Sequence, residues 1–99
     1  MLKLVKVTGQ SMSPTLEDGD YVITKKPRQY RAGLIYVINH IDLGRIIKRL
    51  QDTKHDRCFF IGDKPNASTP SSLIGAVEKE RIVGQVIWVI GKSGLRRAK

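Results

Sequence analysis

Ile82-Val83-Gly84-Gln85-Val86-Ile87-Trp88-Val89-Ile90 is the longest apolar run in the chain. Its β-branched residues favour a pleated strand over a helix. It falls far short of the ~18–20 residues that a membrane-crossing helix needs. Outward from it lie shorter runs of the same kind: Leu2–Val7, Tyr21–Thr24, Leu34–Ile38, Arg45–Leu50 and Cys58–Ile61. Turn signals separate them at Glu17–Asp20, Lys26-Pro27, Arg31–Gly33, Asn39-His40, Gln51-Asp52 and Gly62–Asn66. No stretch keeps a helical period over more than about two turns. Ser13–Leu16 predicts one short helical turn, because Pro14 suits a first helical position. The expected fold is all-β, a single barrel- or sandwich-like domain over residues 1–99. Residues 92–99, Lys-Ser-Gly-Leu-Arg-Arg-Ala-Lys, read as a frayed, solvated basic tail. Gly62–Ile74 reads as a long, small and polar loop, a kind that is usually functional or mobile.

The composition fits that fold and excludes several functions. The chain has 99 residues, and 18 Lys+Arg against 9 Asp+Glu give +9. One domain fits in this length, and 40% hydrophobic with 27% charged residues argues against disorder. One cysteine, Cys58, excludes an internal disulfide and a cysteine-rich zinc site. His40 and His55 are too few for most structural zinc sites, so neither metal nor cofactor is expected. Lysines interrupt the opening Met-Leu-Lys-Leu-Val-Lys-Val, so it is not the apolar core of a secretory signal. A soluble cytoplasmic protein is expected, or a membrane-associated one if the chain is a piece of an anchored protein.

The positive charge invites a nucleic-acid reading. The cations are dispersed, however: Lys25, Lys26, Arg28 and Arg31; then Arg45, Lys48 and Arg49; then Arg96, Arg97 and Lys99. No aromatic motif of the RNA-binding kind accompanies them. Nucleic-acid binding is therefore not expected, while weak contact with an anionic membrane surface is allowed. A non-catalytic basic β-barrel that binds nucleic acid or an anionic surface is the rival of another class.

Two residues carry chemistry. In Arg45–Leu50, alternation puts Ile46, Lys48 and Leu50 on one face and Arg45, Ile47 and Arg49 on the other. The first face is the more apolar, so Lys48 points inward. Burial disfavours the charged amine, and Arg45 and Arg49 push the same way. A neutral lysine can act as a general base. The alternative is a lysine whose stem packs while its head reaches water. Ser11 follows the first strand in Gly9-Gln10-Ser11-Met12-Ser13-Pro14. Such a serine can present its hydroxyl as nucleophile and its backbone N–H as an oxyanion donor. The alternative is an ordinary serine-rich turn. Together Ser11 and Lys48 form a known variant of the Ser-His-Asp arrangement. A competing triad is Ser11, His40 and Asp63, with His40 read as exposed in a polar turn.

These segments resemble a family. Gly9–Asp20, GQSMSPTLEDGD, resembles the nucleophile segment of type I signal peptidases, and Gly44–Leu50, GRIIKRL, their lysine segment. Gly62–Gly75, GDKPNASTPSSLIG, is similar to their third segment, and Glu78–Val86, EKERIVGQV, to their closing one. The resemblance implies a serine endopeptidase that needs no metal for catalysis. Ser11 would be the nucleophile, Lys48 the general base and Ser68 the hydroxyl that orients the lysine. Asp63 would be a structural aspartate, and Met12 would line the substrate cleft. Pro70 and Ser72 stand where the family usually has Asp and Arg, so that salt bridge is absent. Gly9 stands where some members have a serine that completes the oxyanion hole. SOS-repressor peptidases also use a serine–lysine dyad and a similar Lys-Arg-Leu segment; the third segment here favours the signal-peptidase branch. Within it, the short chain and the proline of GDKPNAS look most like the maturation proteases of nickel-type superoxide dismutase. The implied partner is a leader-bearing protein, the nickel superoxide dismutase precursor, and the implied cut follows a small residue. The soluble domain of an anchored signal peptidase is the alternative.

Overall fold

The computed structural model describes residues 1–98. Eight strands follow one another: β1 (Lys3–Lys6), β2 (Tyr21–Lys25), β3 (Ile35–His40), β4 (Gly44–Lys54), β5 (Arg57–Ile61), β6 (Ala76–Glu78), β7 (Ile82–Gly91) and β8 (Gly94–Arg97). Every pairing is antiparallel, in the order β1-β2-β7-β3-β4-β5-β6, with β8 also on β7. The all-β expectation holds. The long apolar run Ile82–Ile90 is the hub of the sheet. β7 pairs with β2 along one edge and with β3 and then β8 along the other.

β3 explains where the core sits. Its first four residues, Ile35 to Ile38, are all buried. Side chains alternate, so Ile35 and Val37 join Val5, Val7, Met12, Leu16, Val22, Val86 and Val89 in one cluster. Tyr36 and Ile38 join Leu50, Cys58, Phe60, Ile74, Val77 and Ile82 in a second. A strand buried on both faces must be apolar throughout, which is why this one lacks the hydrophobic–polar alternation of a half-exposed strand. Tyr36 is fully buried, with its ring edge-on to Phe60 at 6.1 Å between centroids. Its hydroxyl donates to the Gln29 carbonyl at 3.3 Å and accepts from the Arg31 N–H at 3.1 Å.

Three local expectations are corrected. Gln51-Asp52 is not a turn: β4 runs through it with a register shift, and the chain reverses instead at His55-Asp56, where His55 has φ +57°. Ser13–Leu16 does make the single turn expected of it: the Leu16 N–H bonds to the Met12 carbonyl at 2.9 Å, and the turn is not continued into a helix. The loop Gly62–Ile74 contains a 3₁₀ turn at Pro65–Ala67 and the short helix α1 (Ser71–Ile74). Most of the supposed tail is β8, joined to β7 by Lys92-Ser93 and opened by Gly94 at φ +98°. Ala98 packs on the first cluster and donates its N–H to the Ile87 carbonyl at 3.0 Å. The apolar partners on β7 hold this end in place; Lys99 lies outside the described residues.

Candidate active site

Lys48 sits where alternation puts it. It is 4% exposed, and across the β3–β4 ladder its partner is the fully buried Tyr36. Leu50 on the same face is buried, while Ile46 is half-buried against the second cluster. Lys48 Nζ donates to Ser68 Oγ at 2.7 Å. Among the described residues no carboxylate pairs with it. Burial pushes its amine below the ordinary lysine value. The expected push from neighbouring arginines does not figure. Arg49 projects to the other face, where its guanidinium forks onto Asp63 at 2.8 and 2.6 Å.

Ser11 follows β1 in a loop that returns to β2. The loop is closed at its base by Val7 N–H to the Asp20 carbonyl at 2.7 Å and by Gly19 N–H to the Val7 carbonyl at 2.9 Å. Inside it, Gly9 N–H donates to Asp18 at 2.7 Å, Glu17 N–H donates to Asp20 at 3.0 Å, and Ser13 Oγ donates to the Glu17 carboxylate. Met12 and Leu16 are buried in the first cluster and pin the loop to the core. Met12 therefore lines the floor of the cleft but is chiefly a core anchor. Ser11 is half-exposed beside it.

Three segments far apart in sequence meet here. Ser11 and Lys48 line one cleft of about 200 Å³, with Val5–Gly9, Met12 and Arg45–Ile47 as its other walls. The third segment bonds to both of these residues, through Lys64 to Ser11 and through Ser68 to Lys48. Lys64 N–H donates to the Ser11 carbonyl at 2.8 Å. Gly62 is wedged between the partners: a Cβ there would lie 2.6 Å from Ser68 Cβ and 2.8 Å from the Ser11 carbonyl oxygen. Asp63 accepts from Thr15 Oγ1 at 2.6 Å in addition to Arg49, so one carboxylate ties the serine loop to the lysine strand. Arg49 holds this carboxyl below the usual range, with Thr15 acting in the same direction. From behind, Arg96 on β8 donates to the Thr15 carbonyl at 2.6 Å.

The histidine triad does not assemble. His40 is buried at the end of β3 rather than exposed in a polar turn. Its Nδ1 accepts the backbone N–H groups of Asp42 and Leu43 at 3.1 Å, and its Nε2 lies 2.7 Å from the Ile74 carbonyl. The two accepted bonds make Nε2 the protonated nitrogen, so the ring staples the β3–β4 turn to α1. Asp63 is occupied by Arg49 and Thr15. Cys58 is buried in the second cluster, and burial pushes its thiol up. Among the described residues no group of three His, Cys, Asp or Glu is placed to hold a metal.

Sequence reasoning missed Thr15, Gly62 and Arg96. Thr15 and Gly62 fell inside quoted segments without a role, and Arg96 was assigned to the tail. What arrangement results is a buried amine of lowered basicity, fixed by a hydroxyl, in a cleft shared with a loop serine. That set can move a proton from a hydroxyl to an amine.

The chain belongs to the Peptidase S24-like family, whose model matches residues 1–87. That makes it a serine-peptidase-type domain. No curated protein and no solved structure matches it significantly.

Proposed function

We propose that the protein is a serine endopeptidase with Ser11 as nucleophile and Lys48 as general base, and that it removes an N-terminal leader from a protein substrate. The observation that carries the reading is the buried Lys48 amine, held by Ser68 at 2.7 Å in the cleft that Ser11 lines. Neutral Lys48 takes the proton of Ser11 Oγ as that oxygen attacks the scissile carbonyl carbon. The Ser11 backbone N–H faces the developing oxyanion. The C–N bond then breaks, and Lys48 returns the proton to the leaving amine. Water attacks the acyl-serine, again giving a proton to Lys48, and the ester C–O bond breaks as Lys48 returns that proton to Ser11 Oγ, restoring the hydroxyl and the neutral amine.

The substrate lies as an extended strand. β1 pairs with β2 alone, and β5 pairs with β4 only at Arg49–Lys54, which leaves that edge of Gly44–Lys48 unpaired among the described residues. Both unpaired edges line the cleft, so a peptide between them gains main-chain hydrogen bonds on either side. The particular substrate we propose is the nickel-type superoxide dismutase precursor, cut after a small residue, on the strength of the Pro65-containing third segment. The resemblance to type I signal peptidases supports the leader-removing class.

Incubation of the wild type with that precursor, read by intact mass and the new N-terminus, tests both levels. One specific cut, lost in Ser11→Ala and in Lys48→Ala, is the expected result. Cleavage of a peptide library but not of the precursor would remove the substrate and keep the peptidase. Cleavage that persists in folded Ser11→Ala would remove the dyad.

A further inference from the structure

Asp63 is not alone in holding the serine loop. Ser11 and Thr15 lie in two successive turns, closed by Ser13 N–H to the Gln10 carbonyl at 3.1 Å and by Leu16 N–H to the Met12 carbonyl at 2.9 Å. A turn that is not continued leaves its last carbonyls without backbone donors. The Thr15 carbonyl is such a group: among the described residues no backbone N–H bonds to it. Its donor comes from the far end of the chain. Arg96 Nη2 lies 2.6 Å from this oxygen, across 81 positions of sequence.

Strand alternation aims Arg96 at the loop. It pairs with Val89, which is buried in the first cluster, so Arg96 shares that face. Arg97 pairs with Trp88 and turns to the other face, with its guanidinium 5.7 Å from the indole ring centroid. Arg96 Nη2 also lies 3.9 Å from the Asp20 carboxylate, which accepts the Glu17 N–H. Gly91 shapes the seat: a Cβ there would lie 3.2 Å from Arg96 Nη1 and 3.1 Å from Asp20 Oδ1. The guanidinium therefore touches the loop at its middle, Thr15, and at its return to β2, Asp20. The Arg96 side chain is half-exposed, so the ion pair adds little stability. What the rigid fork adds is direction.

Thr15 is held from two sides, its hydroxyl by Asp63 and its carbonyl by Arg96. We propose that Arg96 is a positioning residue for the reaction: through Thr15 it fixes the turns that present Ser11 Oγ to Lys48. This role rests on the Ser11–Lys48 reading above. It also extends the catalytic unit past residues 1–87, the stretch that the family model matches, to a strand outside it, β8.

The full chain is assayed on one cleaved peptide from a library, as wild type, Arg96→Ala, Arg96→Lys, Arg97→Ala and Ser11→Ala. Steady-state constants, the pH profile and hydrogen exchange of the Leu16 and Gly19 amides are measured. Arg96→Ala should lose about tenfold or more in kcat with KM little changed, because a displaced nucleophile costs the chemical step. The midpoint of its pH profile should stay, since Arg96 does not touch the Lys48 amine. Both amides should exchange faster. Arg96→Lys keeps a donor without the fork and should recover part of the loss, while Arg97→Ala should match the wild type. Arg96→Gln, which keeps part of the stem, gives the same comparison if Arg96→Ala does not fold. Unchanged kcat in Arg96→Ala would overturn the proposal, and faster exchange beside it would make the contact structural alone. An equal loss in Arg97→Ala would also overturn it, assigning the effect to net charge. Ser11→Ala separates the two readings. Cleavage that persists there removes the dyad and the positioning role together; cleavage lost there but unchanged in Arg96→Ala removes the positioning role only.

Discussion

Lys48 and Ser68 are 20 residues apart in sequence and 2.7 Å apart in space, and the hydroxyl is the hydrogen-bond partner of the buried amine. Ser68 adds no counter-charge, so it fixes the direction of the amine without restoring its ordinary basicity. Ser68→Ala should lower kcat by about 10²-fold with little change in KM, because misdirecting a base costs the chemical step rather than binding. Ser68→Thr should recover part of the loss. Steady-state kinetics on both variants checks this, and an unchanged kcat in Ser68→Ala would separate Ser68 from the reaction.

Gly62 has no side chain because there is no room for one. A Cβ there would press on Ser68 and on the Ser11 carbonyl at once. Both neighbours are in the site, so Gly62→Ala should reduce turnover by about 10²-fold or more. Gly9→Ala is the informative contrast. Its Cβ would meet open space, and its cost is backbone strain at φ +87°, about 1 kcal/mol. Comparing kcat and thermal midpoint for the two alanine variants distinguishes displacement from strain.

Asp63 joins the serine loop to the lysine strand through Thr15 and Arg49. Removing it takes the carboxylate from a partly buried guanidinium that keeps its bond to the Gly33 carbonyl, so Asp63→Ala should cost about 2–3 kcal/mol of stability. The pH dependence follows from the direction of its shift. Its carboxyl titrates below 3.8 in the folded protein, so its contribution is full above that ordinary value. It is lost as pH falls through the folded value. Denaturant melts of wild type and Asp63→Ala should therefore converge only in strong acid.

His40 staples the β3–β4 turn and α1 through backbone groups. His40→Ala should lose about 1–3 kcal/mol of stability and keep its turnover at temperatures where it remains folded. Cys58→Ala should likewise keep its activity, and chelators should not inhibit. A folded His40→Ala protein without activity would return the histidine to the mechanism.

Much of this was legible in the chain. Lys48 could be placed because a strand has a side-chain period of two and its flanking Ile46 and Leu50 mark the buried face. Ser11, Ser68 and Asp63 came from segments that resemble a family, and the fold brings those segments together. What sequence could not give was anything set by non-local contact. Gly62 looks like any turn glycine until Ser68 and Ser11 are seen on either side of it. The Lys-Ser-Gly-Leu-Arg-Arg-Ala-Lys end has the composition of a tail, and only its pairing with β7 makes it a strand. His40 looked exposed because its neighbours in sequence are polar, whereas its burial comes from α1.

In the proposed reaction Lys48 works as a neutral base, and the pH dependence of turnover by wild type and Lys48→Arg is the measurement that decides it. Cleavage of a peptide library or of the leader-bearing precursor is followed under single-turnover conditions. Only the deprotonated amine accepts the Ser11 proton, so wild-type activity should rise with pH. The midpoint should lie below the ordinary lysine value of 10.5, because burial lowers it. Lys48→Arg keeps the charge and does not give up its proton in this range, so it should be inactive. Substantial turnover by folded Lys48→Arg, with a pH profile like that of the wild type, would show that another group is the base.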